Sequence, residues 1–334
     1  MNDKARGTAG VAGRVALVFG VSGQDGAYLS RFLLSKGYRV HGTTRQPSGA
    51  RLANLASLGI GNRVAIHTVN PRDADAVKAL MGAVRPHEVF DLSGPSSVGY
   101  SFANPEEVRS CITACTTNIL DALAAVRGEA RFYNACTSES FGDTGASAAD
   151  ENTPFRPVSP YGAAKAVSFE RVAEWRSTRG LFACSGILFN HESPLRPANF
   201  VSRKIVSAAA AVADGRESPL VLGDLNVVRD WGWSPEYVEA MWMMLQQDRA
   251  GDFVVATGES NGLRDFVAAA FDEFGLDWRR HVRTDPTLFR PAEIPLSAAN
   301  PAKAVAILGW RAKSRMADVV RMMTEVARRA SGAD

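Results

Sequence analysis

Short runs of uninterrupted apolar residues alternate, over the first half of the chain, with stretches in which apolar positions recur every three or four residues. Val15 to Phe19 is the first such run and fits a strand buried on both faces. Leu29, Phe32 and Leu33 follow at helical spacing until Gly37, a stop signal. Tyr38 to Gly42, Arg63 to Thr68, Glu88 to Leu92, Arg131 to Cys136 and Phe182 to Phe189 read as further strands. Between them lie helix stripes at Val77, Leu80, Met81 and Val84, and at Val108, Ile112, Cys115, Ile119, Leu123 and Val126. Strands and helices alternating in this way predict an α/β protein with a doubly wound, mainly parallel sheet and right-handed crossovers.

After Asn190 the loops lengthen and Arg and Pro become frequent. The spacing predicts helices over Phe200 to Ala213, Tyr237 to Gln247, Leu263 to Phe274 and Met316 to Ala330, with Leu220 to Leu222 extended and Phe253 to Ala256 a strand. Met1 to Gly13 is small, polar and rich in glycine, and is expected to be a flexible tail, neither signal peptide nor anchor.

The breaks between elements carry the chemistry. The first strand runs into Gly20-Val21-Ser22-Gly23-Gln24-Asp25-Gly26, with glycines three residues apart and a helix directly behind. Such a turn lets backbone approach a pyrophosphate, and the helix amino terminus supplies N–H groups and a positive dipole end. After the next strand comes Thr43-Thr44-Arg45-Gln46. With no acid there to take a ribose 2′-hydroxyl and Arg45 in reach of a 2′-phosphate, the reading is NADP, with NAD as the alternative.

Asn134 to Lys165 reads as a buried strand followed by a helix. Thr137, Ser138 and Glu139 fall where a parallel strand emerges at its carboxyl edge, the ligand-binding side of open α/β sheets. Pro154, Pro157 and Pro160 forbid helix until Pro160, with Ser159 as its cap. Tyr161 and Lys165, four residues apart, then share one helix face, and the ammonium is expected to lower the phenol's pKa and make it a proton acceptor. That is hydroxyl-oxidation chemistry. Arg203, Lys204, Arg229 and Arg290 flank turns and are candidates to converge on a diphosphate, although for any one of them alone a solvated or locally paired surface charge is the commoner reading.

Composition bounds the partners. A chain of 334 residues with 46% hydrophobic content can bury a large core, and a net charge of +3 argues for neither nucleic acid nor membrane. Cys111, Cys115, Cys136 and Cys184 lack metal-ligand spacing and read as reduced core residues of a cytoplasmic protein with no metal.

The glycine turn, Thr137-Ser138-Glu139 and the Tyr161/Lys165 pair resemble an extended short-chain dehydrogenase/reductase. Gly23 to Gly26, Ser159 to Lys165, Gly186 to Pro194, Phe200 to Lys204, Arg229 to Gly232, Tyr237 to Trp242 and Phe289 to Glu293 are similar to the GDP-mannose 4,6-dehydratase branch, a likeness running from about Val15 to Met323. It implies an NAD(P)-binding Rossmann domain over 14–197, rejoined by segments about 224–256, and a smaller C-terminal α/β domain for the nucleotide sugar built from 198–223 and 257–331. It further implies a GDP-mannose 4,6-dehydratase, a lyase that recycles its NADP internally, and a homo-oligomer, dimer or tetramer.

Residue by residue, the resemblance makes Tyr161, Lys165 and Thr137 the C4 oxidation machinery and Glu139 the base at C5. Gly20, Ser22, Gly23, Gln24, Asp25, Gly26, Arg45, Asn70, Leu92, Ser93, Ser96, His191 and Arg196 fall at cofactor positions, as do Tyr161 and Lys165. Ser138, Asn190, Lys204, Arg229, Arg290 and Glu293 fall around the nucleotide sugar. The chain departs from the family where Gln46 replaces a second arginine, where Asn70 replaces an aspartate, and at Ser93-Gly94-Pro95-Ser96, where a glutamine is usual. The alternatives are an epimerase, reductase or dehydratase of another nucleotide sugar, or a catalytically silent NADP-binding partner.

Overall fold

The computed structural model describes residues 12–49, 52–126, 130–145, 147–216 and 219–331, so most of the expected tail lies outside the described residues. In chain order the strands are β1 (Val15–Phe19), β2 (Arg39–Thr44), β3 (Val64–Thr68), β4 (Glu88–Asp91), β5 (Arg131–Thr137), β6 (Ala183–Leu188), β7 (Asn190–Glu192), β8 (Leu220–Leu222), β9 (Val228–Trp233), β10 (Phe253–Val255), β11 (Ser260–Gly262) and β12 (Val282–Thr284). The helices are α1 (Gln24–Ser35), α2 (Ala53–Ser57), α3 (Ala74–Val84), α4 (Val98–Ala103), α5 (Pro105–Ala125), α6 (Pro160–Arg179), α7 (Val201–Ala213), α8 (Ser234–Leu245), α9 (Leu263–Asp272) and α10 (Met316–Ser331).

Seven strands form one sheet in the order β10-β6-β5-β4-β1-β2-β3, and every pairing in it is parallel. The continuous apolar run of β1 has a direct cause. Ala16 and Val18 face a core with Leu29 and Leu33 of α1 and Met241 and Leu245 of α8. Leu17 and Phe19 face the opposite core with Val77 and Met81 of α3, Ile119 of α5 and Val172 of α6. Neither face meets water, so no alternation appears in the sequence. The order reverses between β1 and β4, which opens a crevice at their carboxyl ends.

A further core gathers Ile205, Val206 and Ala209 of α7, Leu220 and Leu222 of β8, Phe266 and Phe271 of α9, and Val319 and Met323 of α10. Packing redraws the expected domain boundaries twice. Leu225, Val227 and Trp231 were assigned with the first unit but pack in this further core. Ala304, Leu308, Trp310 and Ala312 were assigned with the second but pack with α8 against the large sheet. The chain changes sides within loops, where hydrophobic periodicity gives no signal. Two small sheets were also missed: β11-β9-β7 and β12-β8. Most of their strands are three residues long, too short to show a period.

Candidate active site

The glycine turn is built by close approach. Gly20 has φ +80°, and a Cβ there would lie 2.5 Å from the Leu92 carbonyl oxygen, so only glycine lets the ends of β1 and β4 meet. Gly23 caps α1 with extended backbone and no side-chain bond to the first turn. The leading N–H groups of α1 therefore face the crevice without a capping side chain, which fits a dinucleotide pyrophosphate.

Asp25 stands in that first turn, where its charge opposes a phosphate. It is compensated: the His191 Nε2 lies 2.9 Å from Asp25 Oδ2, and Ser234 Oγ donates to Oδ1 at 2.8 Å. Burial alone would raise the Asp25 pKa, but the His191 charge and hydrogen bond, helped by Arg196, hold it well below the usual carboxylate range. Burial would conversely lower His191, and Asp25 overrides it, so the imidazole pKa is raised. Both ring nitrogens are engaged, since Nδ1 lies 2.7 Å from the Phe189 carbonyl oxygen. Gln24 joins the same network, donating to the His191 carbonyl at 3.1 Å and accepting from Ser193 Oγ at 2.7 Å.

The reactive groups come from the β5 end and the start of α6. Thr137 Oγ1 accepts from the Glu139 N–H at 3.3 Å and hydrogen-bonds with Tyr161. Ser159 Oγ accepts from the Gly162 N–H at 3.1 Å, capping a helix that Pro160 begins. Ser140 Oγ donates to the Gly162 carbonyl at 3.1 Å, and a Cβ on Gly162 would lie 2.6 Å from the Glu139 carbonyl oxygen. This contact sets Tyr161 beside Glu139.

The expectation that Lys165 lowers the Tyr161 pKa is corrected. Burial raises the phenol well above its ordinary value, with the Thr137 hydrogen bond pulling the other way. Lys165 Nζ donates instead to the Ala135 carbonyl at 2.8 Å. A shared helix face did not make it the phenol's partner.

Burial also raises the Glu139 pKa, while Arg290 and then Arg229 draw it down and Glu293 pushes it up. Arg229 is only 5% exposed and donates to the carbonyls of Ile294 at 2.7 Å and Val228 at 2.9 Å, and to Glu293 Oε1 at 2.9 Å. Arg290 donates to the same carboxylate oxygen at 3.3 Å. Arg196 pairs with Glu192 at 2.9 Å and lies over the Phe200 ring.

A cleft of about 510 Å³ collects these groups. All the sequence-derived site residues line it except Ser22, Arg45, Asn70 and Arg203, so of the four basic candidates for a diphosphate only Lys204, Arg229 and Arg290 reach the cleft. Arg45 and Asn70 are exposed beyond the carboxyl ends of β2 and β3, and Ser22 lies in the glycine turn with its carbonyl accepting from Asn54 at 3.0 Å. Glu192, Asn199 and Asp224 line the cleft and were not foreseen as site residues. Glu192 lay within the Asn190 to Pro194 motif, whereas Asn199 and Asp224 sit in loops with no pattern to mark them.

A carboxylate, a threonine and a tyrosine around the crevice of a parallel sheet, with an uncapped helix amino terminus across it, define a nicotinamide-dependent enzyme of the short-chain dehydrogenase/reductase class. Within that class the chain belongs to the GDP-mannose 4,6-dehydratase family, whose description matches residues 17–323. It is 38% identical over 322 residues to GDP-mannose 4,6 dehydratase 1 of Arabidopsis thaliana, covering 93% of this chain and 89% of that protein. Against GDP-mannose 4,6-dehydratase of Sinorhizobium fredii the identity is 39% over 330 residues, covering 92% and 94%. The fold is similar to that of a dTDP-glucose 4,6-dehydratase from Streptomyces venezuelae solved with NAD, with TM-score 0.84 and 23% identity over 95% of this chain and 98% of that one. The chain is thus a lyase of this family.

Proposed function

We propose that the enzyme converts GDP-mannose to GDP-4-keto-6-deoxymannose, and the observation that carries this is Glu139 lying with Thr137 and Tyr161 in one cleft. Oxidation at C4 alone needs no carboxylate, whereas removal of the C5 proton does. The chemistry supplied by a bound nicotinamide is reversible hydride acceptance. Because burial holds the Tyr161 phenol in its protonated form, the phenol would first release its own proton, favoured by the positive charge that a bound oxidised nicotinamide would bring. As phenolate, bonded to Thr137, it then takes the C4 hydroxyl proton as the alcohol becomes a ketone. That ketone acidifies the C5 proton, Glu139 removes it, and water leaves from C6. Reduction at C6, with a proton exchanged with solvent returned to C5 through Glu139, completes the 4-keto-6-deoxy sugar with no net redox change. Lys165 fixes the end of β5 through its hydrogen bond to the Ala135 carbonyl.

Because Arg229 is buried and committed to protein acceptors, the diphosphate falls to Arg290 and Lys204, with Ser138 and Asn190 nearer the sugar. Arg229 instead holds Glu293 and biases Glu139 toward its charged form. Arg45 supports NADP over NAD. Four free, buried cysteines support a reducing cytoplasmic setting, and among the described residues no helix is long and apolar enough to cross a membrane. A homo-oligomer is part of the proposal.

The test is incubation with GDP-mannose and NMR of the product. A 4-keto-6-deoxy sugar formed without accumulation of reduced nicotinamide supports the reading. A product that keeps its C6 hydroxyl, or turnover only of other nucleotide sugars, refutes it.

A further inference from the structure

The ends of β2 and β3 carry a feature that the arginine count after β2 does not reveal. These strands pair in parallel with Thr44 opposite Thr68, and the Val69 N–H still donates to the Thr44 carbonyl at 3.1 Å. The chain beyond β3 is then fixed from several directions. Asp73 N–H donates to the Asn70 carbonyl at 2.9 Å, the Arg72 N–H to Asn70 Oδ1 at 3.2 Å, and Asn118 of α5 to the Pro71 carbonyl at 3.0 Å. Asp73 in turn caps α3 by accepting from the Ala76 N–H at 3.0 Å. Arg72 thus leaves a rigid turn at the end of β3, beside the end of β2 where Arg45 leaves.

Both guanidinium groups act on one atom. The Cys111 thiol of α5 is drawn down, first by its hydrogen bond with Cys115 and then, against burial, by the charges of Arg45 and Arg72. Both arginines are exposed, and among the described residues neither forms an ion pair. Two uncompensated guanidinium groups from adjacent strand ends suit a phosphomonoester dianion, which they can hold with charge-assisted bonds.

We infer that Arg72 is a second anchor, with Arg45, for the 2′-phosphate of the dinucleotide. This rests on the NADP reading above. Arg72 then sets cofactor preference from the β3 end rather than from the β2 loop.

The full-length enzyme, freed of nucleotide, is titrated with NADPH and NADH by fluorescence, as wild type, Arg72→Ala and Arg45→Ala. Arg72→Ala should weaken NADPH on the order of tenfold, the loss of one charge-assisted contact, and leave NADH unchanged. Adenosine 2′-monophosphate should compete for the site where equal inorganic phosphate does not, and nucleotide released from freshly purified Arg72→Ala should show a lower NADP to NAD ratio. If wild type binds both cofactors equally, the NADP reading itself fails. If wild type prefers NADPH and Arg72→Ala keeps the whole preference, or loses both cofactors alike, the Arg72 assignment alone fails. Competition by inorganic phosphate as strong as by the nucleotide would make this a free-anion site and overturn the assignment too.

Discussion

Glu139 is an acid whose burial raises its pKa and whose neighbours Arg290 and Arg229 oppose that rise. Only its charged form can take the C5 proton, so the acid limb of the pH profile of kcat/KM should lie above the ordinary glutamate value of 4.5. Arg290→Gln removes the larger of the two lowering influences and should move that limb to higher pH, which a pH series on the variant checks. Tyr161→Phe should lower turnover by roughly 10²- to 10⁴-fold, the usual worth of a positioned proton acceptor, measured as initial rates. At this scale the residue types were legible, because Thr137, Glu139 and Tyr161 sit where a strand ends and a capped helix begins. Their electrical state was not. Spacing put Lys165 on the face of Tyr161, yet the choice of Ala135 as its acceptor depends on where β5 runs, a tertiary fact.

Between elements, the Asp25/His191 pair joins α1 to β7, and Ser234 brings in α8. The raised His191 pKa gives stability that is complete below 6.5 and fades as pH rises through the folded-state value. The depressed Asp25 pKa gives stability complete above 3.8 and lost as pH falls through its folded-state value. Asp25→Asn should therefore destabilise most between those two pH values, by about 3 kcal/mol for breaking a buried pair, and less on either side. Denaturant midpoints across pH test this. Gly162→Ala should push the start of α6 away from the Glu139 carbonyl and depress kcat more than it raises KM, whereas Ser159→Ala should cost only about 1 kcal/mol of stability. The long elements were legible from their periods. β7 and β9 were not, because the Asn190-His191-Glu192 segment carries no apolar run and its pairing with Trp231 to Trp233 joins distant segments.

For the whole molecule, the doubly wound sheet followed from a half-chain of alternating runs and stripes, and the crevice followed from the sheet. The placement of 224–233 and 304–312 did not, since those segments change cores within loops. With the cleft lined both by the large sheet and by β8 and α9 residues such as Leu222 and Leu263, ligand binding should couple the cores. GDP at 100 times its Kd should stabilise the fold by about 2.7 kcal/mol, read as a rise in Tm that Arg290→Gln diminishes.

The most direct test is the fate of the C5 hydrogen. In deuterated water the wild-type enzyme should yield a 4-keto-6-deoxy product carrying solvent deuterium at C5, and Glu139→Gln should lose both that product and that exchange while still folding and binding GDP. Deuterium at C5 and full-rate product from Glu139→Gln would contradict the account.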